Sequence, residues 1–292
     1  MASEGDRRAD LEVDEPNYGH GGSRSGGRNR RNVVIALVST VVFFVLVVVL
    51  VTHAPGWPAV REQFFNWAEF KRTFPEVARA FVLNIKIFCI AEVFILIFAL
   101  FLAVLRGLPG PVFFPIRAMA IVYADVFRGI PTILVIAMLG FGAPALGLSH
   151  LPTSVTFWGI VSLVLVYSAY VSEVYRAGID SVHPSQEAAA RSLGLSRGQT
   201  LRRVILPQAV RRVIPPLLND FIGLQKDTAL VGTLGAIEAF NQSQIDANAT
   251  FNYTPYLAAA TLFVAITIPL ARFTDWLILR DRRRRQAAGV AT

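Results

Sequence analysis

The chain has 292 residues, of which 54% are hydrophobic and only 16% charged, with a formal net charge of +8. A soluble domain is about a quarter charged, so this is the composition of a membrane protein. The surplus arginines gather at both ends and in one central loop, as cytoplasmic charge does in membrane proteins, and nucleic acid is set aside as a partner.

Residues 1–32 are rich in Gly, Ser, Asn, Arg, Asp and Glu and read as a disordered cytoplasmic tail. An apolar crossing needs roughly 20 residues at about 1.5 Å rise each. Residues 33–52 hold no charge and supply the first span. Their polar lead is too long, and their apolar core too extended, for a signal peptide. Residues 53–78 form an extracytoplasmic segment whose Trp57, Phe64, Phe65, Trp67 and Phe70 suit the membrane–water interface. The second span, 79–105, carries Asn84, Lys86 and Glu92, together with Cys89. This is the one cysteine, so it can form no disulfide within the chain, and it reads as a small buried hydrophobe.

The stretch from Arg106 to Pro111 is a turn loaded with Gly and Pro. Residues 112–128 read as an amphipathic lead-in to the third span, 129–148. Pro144 and the polar residues 149–154 close a hairpin into the fourth span, 155–179. The fifth begins near Ile214 and is interrupted by Asp220, Lys226 and Asp227. The sixth, 254–279, ends in the run Arg280–Arg285, and residues 281–292 form a basic cytoplasmic C-terminus anchored at anionic lipid. The expected fold is an all-α integral membrane protein with about six transmembrane helices.

Orientation follows from the loops. Arg7, Arg8, Arg24, Arg28, Arg30 and Arg31 precede the first span, and Arg191, Arg197, Arg202, Arg203, Arg211 and Arg212 lie in the central loop, 180–212. Residues 149–154 and 239–253 have no Lys or Arg. Both termini and the central loop are therefore expected in the cytoplasm of a multi-pass cell-membrane protein.

The central loop is too regular for a connector. Ser185, Gln186 and Glu187 favour a helix start, and Ala188, Ala189 and Ala190 are strong helix formers. Gly194 permits the left-handed turn that ends a helix. Pro207, after Leu206, starts the next element without wasting a backbone donor. The arginines make a cationic surface for an acidic partner.

Ala188-Ala189-Ala190, Gly194, Val204 and Leu206-Pro207, at these spacings, resemble the EAA loop of the permease subunits of ABC importers. The flanks narrow the match: Phe127–Pro131, Ser168–Ile179, Pro207–Asn219 and Lys226–Leu230 are similar, in this order, to blocks of polar amino-acid permeases. The resemblance covers about 80–280. It implies a type I ABC importer permease domain over 79–280, with 33–52 as an extra N-terminal helix. It further implies a short loop helix that docks in a groove of a separate ATPase, with Gln186, Glu187, Ala188, Ala189, Ala190, Gly194, Leu206 and Pro207 as the coupling residues. The implied partners are ATPase subunits, a second permease subunit (another chain or a copy of this one) and an extracytoplasmic solute-binding protein. ATP would be bound by the ATPase, leaving this chain without a cofactor.

One departure stands out. Aligned on Gly194 and Leu206-Pro207, the family's glutamate falls at Ala188, while Glu187 sits one residue earlier, a rotation of about 100° on a helix. Ser185 also replaces a usual glycine.

Charged groups within spans cost roughly 2.5–3.5 kcal/mol each at mid-bilayer. Asn84, Glu173, Asn219, Lys226 and Asp227 are candidates for the translocation path, each with a structural alternative. Asn84 would make an interhelical hydrogen bond. Glu173 would pair with Arg176, Lys226 with Asp227, and Lys86 would snorkel. No catalytic or metal site is expected. The three lysines, Lys71, Lys86 and Lys226, follow Phe, Ile and Gln, so no phosphate-binding loop exists, and His20, His53, His150 and His183 lack metal spacing. The reading is a transport subunit for polar amino acids. The alternatives are a permease for another small solute, such as an opine or compatible solute, an ATPase-independent channel, and a membrane-anchored scaffold.

Overall fold

The computed structural model describes residues 25–289, and all of its regular structure is helical. Residues up to Pro58 form one unit, and the chain from Ala59 onward forms a second. In the first unit α1 (Ser25–Thr52) is one helix, and its side chains from Val33 to Val51 are exposed. An apolar helix exposed all round is stable only in lipid or against another protein. A short α2 (Trp57–Phe64) follows.

The second unit is built on α3 (Trp67–Arg106) and α6 (Val155–Asp180). Asn66 caps α3, its side-chain oxygen accepting from the amides of Ala68 and Glu69. Much of the expected extracytoplasmic segment is therefore helical. Ile87, Ala91, Ile95 and Ala99 form the inward stripe of α3 at a four-residue spacing and meet Leu163 and Val166 of α6. Cys89 lies about 200° around the helix from Ile87 and is exposed, not buried as expected. Opposite the stripe, Val93, Phe94, Ile97 and Phe101 are also exposed, a surface that requires lipid or a partner.

The expected third span and its lead-in form two helices, α4 (Phe114–Gly129) and α5 (Thr132–Ala145), bent by 102°. Pro131 forces Ile130 into an extended conformation, and the helix breaks there. After α6 come α7 (Pro184–Ser192) and α8 (Arg197–Thr200). The chain then runs without interruption through a π turn (Leu201–Ile205), α9 (Leu206–Asp227) and a 3₁₀ segment (Thr228–Leu234). Pro207 is the second residue of α9, as expected, although α9 continues directly from the π turn. α10 (Ala239–Thr250) and α11 (Thr254–Gly289) complete the fold.

Among the described residues four helical stretches are long and apolar enough to cross a membrane, lying in α1, α3, α6 and α11, and the bent α4–α5 pair makes a fifth if counted as one. Six were expected. α9 occupies the place of the remaining span, but Arg211, Arg212, Asp220, Lys226 and Asp227 make it too polar to qualify by composition.

The 3₁₀ segment is held by glycines. A Cβ at Gly159 of α6 would collide with Val231, one at Gly140 of α5 with Leu234, and one at Gly232 with the Glu238 carboxylate.

Candidate coupling loop and membrane-embedded polar groups

The loop between α6 and α9 is closed at its base. Gly178 leaves room for Val213, and the Arg212 guanidinium donates to the carbonyl of Ser181. Beyond this clamp α7 begins at Pro184, one residue before the expected start, with the ring of His183 accepting from the Ser185 amide at 3.2 Å. It ends as its sequence dictates. Gly194 has φ +83°, its amide donates to Arg191, and the Leu195 amide donates to Ala190. This pair of bonds is a Schellman motif, which satisfies carbonyls a helix end otherwise leaves open. α8 opens with a capping box, in which Ser196 accepts from the Gln199 amide and Gln199 accepts from the Ser196 amide.

The loop has an inside and an outside. Ala190 and Thr200 are buried, whereas Gln186, Glu187, Ala188 and Ala189 are exposed and run most of the way round α7. Leu193 is 84% exposed at its end, a large apolar side chain displayed to solvent that the sequence reading missed. The signal was a leucine directly before the helix-ending glycine. Leu206 is exposed at the start of α9.

Within the membrane region the polar candidates separate. Asn84, 1% exposed, donates to Thr228 Oγ1 at 3.2 Å and Glu238 Oε2 at 2.8 Å, and accepts from the Ala239 amide at 3.0 Å. Glu238, fully buried and absent from the sequence reading, also accepts from the amides of Phe240 and Asn241 and so caps α10. These three donors offset part of the cost of burying the carboxyl group. Asn84 lies on a distant stretch of chain, and no local pattern announces that bond.

Glu173 does not pair with Arg176. It forms an ion pair with Arg106 at the end of α3 and lies 3.6 Å from Arg128 at the end of α4, while Arg176 faces Asp180 at 3.7 Å. The Arg106 side chain is 7% exposed, so it needs a counter-charge, and Glu173 supplies the direct one. The expected i,i+3 pair loses to this because a buried arginine costs far more unpaired than a surface one. Asp227 accepts from the Tyr167 hydroxyl at 2.9 Å, and no ion pair forms between Lys226 and Asp227. Lys226, Asn219 and Lys86 are exposed. Among the described residues no group of three or more His, Cys, Asp or Glu is placed to hold a metal.

An all-helical membrane domain with a clamped, helix-bearing loop defines a class of transporter subunit, and the comparisons supply the family. Residues 111–283 match the family described as binding-protein-dependent transport system inner membrane component, and the chain belongs to it. It is 33% identical over 204 residues to the probable amino-acid permease protein YxeN of Bacillus subtilis, covering 70% of this chain and 90% of that one. The arginine transport system permease protein ArtQ of the same organism is 30% identical over 209 residues, covering 70% and 93%. A crystal structure of an amino acid ABC transporter with histidines superposes with a TM-score of 0.67 at 29% identity, covering 75% of this chain and 98% of that one. The methionine ABC transporter MetNI, at 19% identity and a TM-score of 0.56, shares the fold. The protein is a multi-pass membrane subunit with the type I ABC permease fold.

Proposed function

We propose that this chain forms the translocation path of an ATP-driven importer of polar amino acids and couples to a separate ATPase through residues 185–207. The observation that carries this reading is α7, a short helix with an exposed face and an exposed terminal leucine on a loop clamped at its base. Such a loop moves as a unit, so a pull on α7 reaches α6 and α9 through Gly178–Val213 and Arg212–Ser181. The amino-acid relatives and the amino-acid transporter structure support the substrate class.

In this reading ATP closes a pair of ATPase subunits. The docked loops of this chain and a second permease subunit draw together, and the helices open outward to receive substrate from a solute-binding protein. The ATP stays with the partner, and this chain hydrolyses nothing. Both termini and the 180–212 loop are cytoplasmic, residues 239–253 face outward, and 33–52 is an added helix N-terminal to the 79–280 permease domain. Asn219 and Lys226, exposed on α9, are the polar groups free to face the path. Asn84, Glu173 and Asp227 hold helices together. The contact of the family's glutamate falls to Glu187, which is exposed next to Ala188.

The decisive test is Gly194→Val. A β-branched residue at φ +83° is strained by about 1–2 kcal/mol, so the helix end reorganises. Membrane insertion should be unchanged, while ATPase recovery with the complex and uptake are lost. A Gly194→Val complex that assembles and transports normally would rule out docking through this loop. Cysteines placed singly at Arg197 and Asn248, in a chain with Cys89→Ser, test orientation with an impermeant thiol reagent outside intact cells. Labelling is expected at 248 alone.

A further inference from the structure

The rod from Arg197 to Leu234 is not α-helical throughout. At Leu201–Ile205 it makes one π turn, closed by the Leu206 amide donating to the Leu201 carbonyl five residues back. A π turn holds one residue more than the α-helical turn it replaces, and such turns recur at functional sites. Two residues downstream of it stands Pro207. Pro207 brings no N–H, and in α geometry its ring would press on the carbonyl of Arg203. The wider turn avoids that clash. The neighbouring Val204 carbonyl accepts from Gln208 Nε2 at 3.1 Å.

The π turn lies between a fixed part and a suspended part. On one side α9 is fastened to α6 through Val213 at Gly178 and Arg212 at the Ser181 carbonyl. On the other, α8 runs directly into the turn, and α7 packs against both. Rewinding the same residues as α-helix, with α9 held in place, would turn α8 by about 100° and displace it by about 1.5 Å. α7 packs on both and would be carried along. The surface formed by Gln186, Glu187, Ala188, Ala189 and Leu193 would then point elsewhere.

We propose that this π turn sets the rotational phase of the coupling helix, and that Pro207 is the positioning residue that holds it. The proposal rests on the reading of residues 185–207 as an ATPase-docking loop. It adds a specific demand: what matters at position 207 is the additional residue the proline stores in the helix, rather than a contact made by its ring.

The experiment is a phase-suppression test on the full complex reconstituted in liposomes, with ATPase content, ATP hydrolysis and amino-acid uptake measured together. Pro207→Ala should lower uptake per ATP hydrolysed several-fold. Deleting the exposed Arg202 in the Pro207→Ala chain removes the stored residue, restores the original phase as plain α-helix, and should recover most of the coupling. A proline needed only for rigidity or for direct contact predicts no recovery. Normal coupling in Pro207→Ala overturns the proposal, and so does a defect that the deletion leaves in place. If Pro207→Ala fails to assemble, recovery of assembly and uptake by the deletion supports the proposal, and its absence overturns it. Failure of the unaltered complex to hold an ATPase through this loop strikes the docking reading first. An unaltered complex that holds its ATPase beside a normally coupled Pro207→Ala strikes the phase alone.

Discussion

The loop around α7 and the polar cluster around Glu238 answer the same question in opposite ways. Both must satisfy the open backbone groups of a short helix. The loop does so with neighbours, since every cap of α7 and α8 comes from within a few residues. It leaves its outer face free. The Glu238 cluster caps α10 locally too, through the amides of Phe240 and Asn241, but ties that cap to Asn84 of α3, 154 residues from Glu238 and 155 from Ala239. A locally satisfied element can move as a body and still be whole. One satisfied across the molecule fixes the helices it joins. The first arrangement suits a docking part, the second a frame.

If that contrast holds, the largest loss of stability should follow from opening the frame. Glu238→Ala takes one of the two bonds made by the Asn84 amide, leaving that to Thr228, and orphans the backbone donors of Phe240 and Asn241, at roughly 1–3 kcal/mol for each buried donor left unmet. The expected outcome is a collapse in the yield of folded protein, read by size-exclusion profile and thermal melting in detergent. Near-normal yield would mean that the cluster is not a frame.

Glu173→Gln should come next. It removes the direct counter-charge of Arg106, and about 1–3 kcal/mol is expected, below the value for a fully buried pair because Glu173 is 29% exposed. Uptake should fall along with purified-complex yield, while the ranking of labelled polar amino acids stays the same. A changed ranking at unchanged yield would move Glu173 into the substrate path.

Leu193→Ala tests the free face. At 84% exposure the side chain contributes little to the fold, so melting should be unchanged. ATPase binding should weaken by about 1–2 kcal/mol, as for an apolar anchor at an interface, measured by titration of the ATPase onto immobilised complex. Unchanged affinity would leave the exposed leucine without a role.

The smallest effect concerns pH. Burial pushes the carboxyl of Asp246, on α10, above the ordinary range, and Glu76 adds to the rise; Gln242 and Arg72 oppose it. The folded state therefore binds a proton more tightly than the unfolded state. Stability should decline slightly as pH rises from roughly 4, the unfolded value, through the raised one. Asp246→Asn should flatten that slope in melting curves, and an unaltered slope would assign it to other groups.

This contrast also explains what could be read from the sequence. The Ala run, Gly194 and the apolar lengths of α1, α3 and α6 obey rules that act over a few residues, and the family resemblance rests on blocks of the same kind. Three things were hidden. Glu238 meets Asn84 only because α3 and α10 are neighbours in space. Glu173 looked paired with Arg176 because i,i+3 spacing is visible, whereas burial of Arg106 is not. The boundary between lead-in and span at 128–129 was legible from the charges that stop at Arg128, but the 102° bend made there by Ile130-Pro131 was not. The charged fifth span, by contrast, was legible: α9 lies where it was expected and carries its charges packed against α6.

The glycine recesses behind Val231 and Leu234 impose an order of assembly. Gly140 and Gly159 belong to a helical hairpin that leaves the ribosome before the segment they receive. Chains are made N-terminus first, so α5 and α6 can be paired when Thr228–Leu234 arrives. The late segment then acts as a gauge. Its two side chains fit only if the hairpin already has its final register, because a slip of one residue puts a larger side chain where each glycine should be. A mispaired hairpin leaves that segment undocked, with its apolar residues displayed to quality-control proteases before a complex can form around it.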